Sequence, residues 1–199
     1  MKLRTAVLLV VCLAVVITGC RKAEGTNPSE KRDYAQKMKK DTLAELYQER
    51  PEAKKLIANA AGYAVFSNIN INLFLLSSGN GYGIAHNAST AEETYMKMRF
   101  FGVGLGLGAK DFRAVMVFKT DQVFDKFTES GWEWGAHADA TAKSEEKGGE
   151  VGGAAETTGD IIIYNFTETG IALQATVAGT KYWRDKELSP RPEDKKDEK

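Results

Sequence analysis

The sequence predicts an α+β fold: a mainly antiparallel, glycine-rich β-sheet, shaped as a sandwich or half-barrel, that follows an N-terminal helical pair. Residues 33–49 predict a helix, because one set of side chains recurs at every fourth position: Tyr34, Met38, Thr42 and Leu46. From Gly62 onward, β-branched and aromatic runs alternate with glycines, as strands and turns do. The chain has 199 residues, and the 180 that follow residue 19 are enough for one domain with its own core.

The N-terminus has the pattern of a bacterial lipoprotein signal peptide, which we predict over residues 1–19. Two basic residues precede an apolar run over residues 6–17, which is too short to cross a hydrocarbon core of roughly 30 Å. The run ends in Ile17-Thr18-Gly19-Cys20, which resembles a lipobox, where the cysteine thiol receives a diacylglyceryl group. We therefore expect cleavage before Cys20, lipidation of that residue and stable attachment to a membrane.

This processing has consequences for the rest of the chain. It would remove Cys12 and use Cys20 for lipid, which leaves no thiol pair for a disulfide or a zinc site. Arg21 follows the cysteine in place of an aspartate, so the sequence predicts a lipid-anchored protein of the bacterial cell envelope, at the outer membrane and facing the periplasm. The remaining 25 basic and 27 acidic residues give no reason to expect nucleic acid as a partner.

The mature chain divides into three parts. Residues 20–32 are polar and predict a lipidated flexible tether. Residues 33–187 predict the folded domain, in which Pro51 ends the first helix and begins a second, short one. Residues 188–199 contain two prolines and mixed charges, and predict a disordered charged tail.

Within the domain, the sequence predicts separate strands over residues 63–66, 69–77, 95–108, 111–118 and 131–143. The glycines of residues 79–83 predict a tight turn, and Thr120 predicts the cap of a short helix with Phe124 and Phe127 facing inward. An acidic loop over residues 144–159 and a closing hairpin, 161–166 with 170–178, complete the expected order.

One predicted strand alternates glycines with aliphatic residues: Gly102, Gly104, Gly106 and Gly108. One face of it would be bare backbone, so we expect close approach by a packed helix, a barrel corner or a lipid chain. A phosphate-binding loop is excluded, because such loops open a helix whereas this spacing continues as β, and no nucleotide cofactor is predicted. A second alternation begins at Trp132 and Trp134, and favours core packing over membrane contact.

No pattern in the sequence predicts an enzyme. His137 and Asp139 would share a strand face, and with Ser130 or Ser144 they would form a hydrolase-like group, but no G-x-S-x-G motif accompanies them. The other histidine is His86, and two isolated histidines without clustered carboxylates do not make a metal site. We therefore predict no catalytic residue, no metal and no cofactor.

Positive charge is concentrated near the predicted anchor. Residues 21–40 carry a net charge of +4, whereas residues 121–160 carry −7. Basic residues close to an anionic surface attract it, which predicts lipid binding by the lysines of the helical pair: Lys37, Lys39, Lys40, Lys54 and Lys55. The alternative is that these lysines form only a solvated linker and helix face.

Several short segments recur in the order of one known family. They are Gly62-Tyr63-Ala64-Val65-Phe66-Ser67-Asn68, Gly81-Tyr82-Gly83-Ile84-Ala85, the segment 112–118, Gly135-Ala136-His137-Ala138-Asp139-Ala140, Ile163-Tyr164 and Gly170-Ile171-Ala172-Leu173. Over residues 33–185 the chain resembles the SYLF domain, a lipid-binding, yeast actin-patch-related domain, with Ser67 where the family has proline.

The resemblance implies a domain that binds phosphoinositides or other anionic lipids through an amphipathic N-terminal helix and nearby basic residues. We therefore expect membrane phospholipid as the partner of an anchored envelope lipoprotein. The alternative is a non-enzymatic structural lipoprotein that binds an envelope protein and uses its acyl chains for all membrane contact.

Overall fold

The computed structural model describes residues 23–134, 155–167, 170–171 and 179–194, which form three helices and seven strands. All strand pairs among them are antiparallel and the sheet curls into a half-barrel, which confirms the predicted α+β class. The helices are α1 (Pro28–Glu49), α2 (Pro51–Ala58) and α3 (Asp121–Ser130). The strands are β1 (Gly62–Asn87), β2 (Glu93–Phe118), β3 (Trp132–Trp134), β4 (Ala155–Thr158), β5 (Ile161–Thr167), β6 (Gly170–Ile171) and β7 (Gly179–Arg184).

Helix α1 begins at Pro28, within the segment that the sequence predicted as a tether up to residue 32. The Asn27 side chain caps the helix by accepting a hydrogen bond from the Glu30 backbone N–H at 3.0 Å, and proline fits the first turn. The Glu30 carboxylate in turn accepts from the Thr26 backbone N–H at 2.7 Å. Asn27 and Pro28 are typical of both loops and helix starts, and here they start the helix.

Strands β1 and β2 form one long ribbon, paired from Gly62 with Phe118 to His86 with Glu93. The predicted turn at residues 79–83 is therefore wrong, since this segment lies inside β1 and the chain reverses over residues 88–92. A Cβ at Gly81 would lie 2.4 Å from the backbone oxygen of Ser67. Glycine is required here because two parts of β1 approach closely, not because the chain turns.

The second edge of β2 pairs with two different strands. Residues 96–101 pair with β7, which also pairs with β3, while residues 112–118 pair with β5. Strand β5 lies between β2 and β4, and its pairing with β6, Phe166 with Ile171 and Thr167 with Gly170, confirms the start of the predicted closing hairpin. Strand β4 occupies the end of the predicted acidic loop. Residues 135–154, with His137, Asp139 and Ser144, lie outside the described residues, as do 172–178.

The sheet separates two hydrophobic clusters. On one face α1 and α2 cover Val65, Ile84, Val115 and Tyr164, as the predicted helical pair requires. On the other face α3 packs Phe124 and Phe127 onto the alternate residues of the same strands, among them Phe66, Met116, Phe118 and Tyr182. Trp132 packs against this second cluster, 6.3 Å from Phe127 between ring centroids, in agreement with the core interpretation.

The chain ends in a segment that packs on the domain, which we call the C-terminal strap (residues 185–194). Leu188 is buried beside α1, and the Ser189 hydroxyl oxygen accepts a hydrogen bond from the Tyr95 backbone N–H at 2.8 Å. Lys186 forms an ion pair with Asp194 at 2.8 Å. The sequence predicted disorder from residue 188, but the structure describes the strap up to residue 194, with Asp185 and Ser189 both hydrogen-bonded to the Tyr95 backbone of β2. Of the predicted tail, residues 195–199 lie outside the description.

Candidate functional site

The five predicted lipid-binding lysines do not lie together. Helix α1 has 22 residues and is therefore about 33 Å long, and Lys54 and Lys55 lie on α2 beyond its end. Lys37 and Lys40 are exposed on α1, and Lys37 forms an ion pair at 2.7 Å with Asp41 on the same face. The outer face of α1 is mixed in charge rather than basic, because it also presents exposed carboxylates: Glu30, Asp33 and Asp41.

Lys39 lies in a different environment. Its ammonium group forms an ion pair with Glu93 at the start of β2, and its side chain is only 14% exposed. Gln36, on the same helix, donates a hydrogen bond to the same carboxylate and another to the Tyr95 hydroxyl. Lys39 thus holds α1 against the end of the β1–β2 ribbon.

Glu93 is the centre of this polar cluster. His86 Nδ1 lies 3.6 Å from Glu93 Oε1, and the imidazole ring lies 5.0 Å from the Tyr63 ring. Burial raises the pKa of Glu93, but the hydrogen bond and charge of Lys39, with the bond from Gln36, outweigh it and leave that pKa below its ordinary value. Burial raises the pKa of Tyr63 to about 12. The cluster joins α1 to the ribbon electrostatically.

A cavity of about 380 Å³ lies where the described chain begins, and we call it the Ala23 cavity. Ala23 is buried in it, beside Tyr82, Met98 and Leu188. Its other lining residues come from α1, the middle of the ribbon, β7 and the strap: Lys31, Asn80, Gly81, Lys97, Arg99, Trp183, Asp185 and Glu187. It combines apolar and aromatic surface with three cations and two carboxylates.

The β-sheet register aligns the cations of this cavity. Lys97 lies between Tyr82 on β1 and Trp183 on β7. Two residues further along, Arg99 lies between Asn80 and Lys181. Because residues opposite each other in an antiparallel sheet share a face, the basic side chains of Lys97, Arg99 and Lys181 and the Trp183 indole lie on one face.

The strap supplies the carboxylates of the cavity. Lys97 Nζ lies 3.0 Å from Asp185 Oδ1, and the Asp185 side chain is only 8% exposed. Lys31 forms an ion pair with Glu187, two residues further along the strap. The neighbouring Arg32 guanidinium donates two hydrogen bonds to the Leu188 backbone oxygen, at 2.8 and 3.2 Å.

A smaller cavity of about 170 Å³ lies between α1 and the ribbon, lined in part by Lys37, Thr42, Ser67 and Arg113. Its two cations are each paired within hydrogen-bond distance, Lys37 with Asp41 and Arg113 with Glu45 at 2.9 Å. This cavity has less than half the volume of the Ala23 cavity and lies farther along α1 from the start of the described chain. We therefore regard the Ala23 cavity as the stronger candidate site.

Among the described residues, no group of three or more histidine, cysteine, aspartate or glutamate side chains is placed to hold a metal ion. The described helices include none with the length and hydrophobicity that crossing a membrane requires.

Sequence reasoning missed the cavity because its cations are remote in the sequence. Lys31 precedes the predicted domain, Lys97 and Arg99 lie in β2, and Trp183 lies in β7. The available signal was the two-residue spacing of Lys97 and Arg99 within a predicted strand, which places both on one face.

No protein-family model matches the chain. A curated protein, Beta cell expansion factor A of Aeromonas veronii, is 37% identical over 147 residues. The matched part is 74% of this chain and 54% of that protein, so this chain spans about half the length of its curated relative. The two chains are homologous over the matched part.

Proposed function

We propose that this protein is a membrane-anchored envelope lipoprotein whose SYLF-like domain binds anionic phospholipid. The domain organisation supports the SYLF assignment, because the described segments that carry the resemblance lie in order along one sheet. The first two lie in β1, the third ends β2, and the last two begin in β5 and β6. Lipid on Cys20 would hold this domain at the surface of the outer membrane, facing the periplasm.

The observation that carries the proposal is the position of the Ala23 cavity relative to Cys20. Ala23 follows Cys20 by three residues in the sequence, and a chain of that length spans at most about 11 Å. An acylated Cys20 would therefore keep Ala23 within about 11 Å of its lipid, and would turn the cavity cations Lys31, Lys97 and Arg99 toward the bilayer. Within the described part of the chain, the cations of the cavity therefore lie on the side of the domain where the anchor would be attached.

The chemistry of this surface suits an anionic phospholipid. Each cation near an anionic membrane contributes about 1 kcal/mol of attraction. Tryptophan is enriched at membrane interfaces, where its apolar ring contacts lipid and its indole N–H stays near polar groups. Trp183, which lies beside Lys97 across the β2–β7 pair, combines these two properties at one point on the sheet.

The test uses the mature chain with Cys20→Ala, so that acyl chains contribute nothing. The protein is floated with vesicles of phosphatidylcholine alone and with vesicles that also contain phosphatidylglycerol. We expect recovery with the anionic vesicles only, and a loss of recovery as salt is raised. Equal recovery with both vesicle types would refute selective binding of anionic lipid, and would favour an anchored structural protein that binds an envelope protein.

A further inference from the structure

We infer that the Ala23 cavity binds the phosphate of a glycerophospholipid headgroup. In the absence of lipid, Asp185 and Glu187 form ion pairs with the cavity residues Lys97 and Lys31, and the phosphate replaces these carboxylates when it binds. The inference rests on the proposed function, since it names the site and the regulation of the same binding. It adds that the C-terminal strap is an internal competitor of the lipid.

The lining of the cavity matches the parts of a glycerophospholipid. The phosphate of such a lipid adjoins a glycerol ester region and then the acyl chains, so its site needs cations beside apolar surface. Lys97 and Arg99 supply the cations, and Tyr82 and Leu188 supply apolar surface between α1 and the sheet. A volume of about 380 Å³ is in the range of small-molecule sites.

The strap carboxylates occupy the groups that a phosphate needs. A carboxylate and a phosphate oxygen accept the same charge-assisted hydrogen bonds from an ammonium group. Asp185 lies 3.0 Å from Lys97 and is almost fully buried, so a phosphate that entered beside it would meet a like charge with little solvent screening. Binding therefore requires an exchange, in which Lys97 and Lys31 leave Asp185 and Glu187 and pair with the phosphate.

This exchange would loosen the strap. Hydrogen bonds also hold the strap. Arg32 donates to the Leu188 backbone oxygen, the Tyr95 N–H donates to Ser189, and the Asp185 N–H donates to the Tyr95 backbone oxygen. Arg191 donates to the Glu129 backbone oxygen. Loss of the ion pairs removes the electrostatic part of this attachment and leaves the backbone contacts. Anionic lipid should therefore increase the access of a protease to residues after Asp185.

The test compares matched pairs of variants in the Cys20→Ala chain. Removal of the cavity cations by Lys97→Gln with Arg99→Gln should weaken binding to phosphatidylglycerol vesicles by about fivefold per cation. The control, Lys119→Gln with Lys126→Gln, removes the same charge from exposed positions after β2 and on α3 and should leave binding unchanged. Equal weakening by the two pairs would overturn the site, while the proposed function would stand because binding to anionic vesicles persists.

The competitor is tested by Asp185→Asn with Glu187→Gln, which should strengthen binding severalfold. Asparagine keeps the oxygen that accepts the Glu187 backbone N–H at 3.0 Å, so the turn is retained. The control, Asp33→Asn with Glu49→Gln, changes the same charge at exposed positions of α1 and should strengthen binding less. An equal gain in vesicle binding by the two double variants would overturn the proposed competition, because the change in net charge alone would then explain the gain.

The source of the phosphate is tested by calorimetric titration of the protein with short-chain phosphatidylglycerol, with glycerol 3-phosphate and with inorganic phosphate, which gives the affinity for each. We expect tight binding of the lipid and weak binding of the other two, because the apolar lining contributes only to the lipid. Equal affinity for all three would overturn the assignment to a phospholipid. If no anionic vesicle or lipid binds any variant, the proposed function itself fails.

Discussion

Lys39, which the sequence assigned to lipid binding, lies in an ion pair with Glu93, and its replacement should therefore destabilise the fold. Glutamine removes the ammonium group and leaves the Glu93 carboxylate, 21% exposed, with weaker partners. Lys37→Gln, two residues earlier on the exposed face, is the matched control and should not change stability measurably.

The magnitude follows from the burial of the pair. Removal of one partner from a fully buried ion pair costs about 3–5 kcal/mol, whereas an exposed pair contributes about 0.2–1 kcal/mol. With side chains 14% and 21% exposed, and Gln36 still bonded to Glu93, the loss should be about 2 kcal/mol. For a chain of this size, that corresponds to a decrease in Tm of roughly 4–8 °C.

The pH dependence gives a second signature. The folded-state pKa of Glu93 lies below its ordinary value of 4.5, so its ionised form stabilises the fold above that pH. This contribution is lost as the pH falls through the lowered pKa of the folded state. In Lys39→Gln the hydrogen bond and charge of Lys39 no longer oppose the effect of burial, which raises the pKa of Glu93. The difference in unfolding free energy between the two proteins should therefore be full at neutral pH. It should shrink as the pH falls, first through the raised pKa of Glu93 in the folded variant and then through the lowered pKa of Glu93 in the folded parent.

The assay is urea unfolding followed by tryptophan fluorescence at several pH values, with flotation on anionic vesicles in parallel. Lys39→Gln should lose stability at neutral pH and keep its vesicle binding. Unfolding of Lys39→Gln and Lys37→Gln at the same urea concentration would refute a structural role for the ion pair. Loss of vesicle binding with unchanged stability would refute it as well, since Lys39 would then contact lipid.

Three further predictions test the packing. Gly83→Ala would place a Cβ 2.5 Å from the Val65 backbone oxygen, so it should lower the free energy of unfolding by at least about 1–3 kcal/mol. Chemical denaturation measures this, and an unchanged midpoint would contradict the close approach within β1. Phe127→Ala removes a ring that is 3% exposed and contacts four other aromatic rings. It should lower the free energy of unfolding by about 3–5 kcal/mol, and a decrease below about 1 kcal/mol would contradict the packing of α3. The Tyr63 phenol should ionise with a pKa of about 12, later than exposed tyrosines, and ultraviolet titration against Tyr63→Phe measures this directly.

The parts of the fold that the sequence predicted well are those set by local periodicity. Met38, Thr42 and Leu46 are all buried on α1, because helical spacing alone places them on one face. The apolar run over residues 63–66 likewise predicted a strand, and these residues lie at the start of β1. A glycine does not indicate by itself which structure it belongs to, because the same residue permits a turn and a close approach of two backbone segments. Gly81 and Gly83 were therefore predicted as a turn, although they lie within β1.

The candidate site depended on contacts that periodicity does not determine. Lys39 was predicted to face lipid, but the reversal of the ribbon at residues 88–92 brings Glu93 to it. Asp185 and Lys97 meet because β7 pairs with the first half of β2 rather than with another part of that strand. Such register choices follow from the packing of the whole sheet, which short sequence windows do not encode.

The length of α1 decides between two orientations of the anchored domain. Lys31, in the first turns of α1, lines the Ala23 cavity, whereas Lys54 and Lys55 lie on α2, past the other end of α1, which is about 33 Å long. If Cys20 carries lipid as proposed, those two lysines reach the bilayer only when α1 lies flat on it. A flat helix would present a face of mixed charge to the membrane, in which Asp33 and Asp41 offset the attraction of Lys37 and Lys40 to anionic headgroups. An upright α1, with the cavity toward the bilayer and α2 away from it, instead brings Lys31, Lys97 and Arg99 near the lipid, and this is the orientation that we expect.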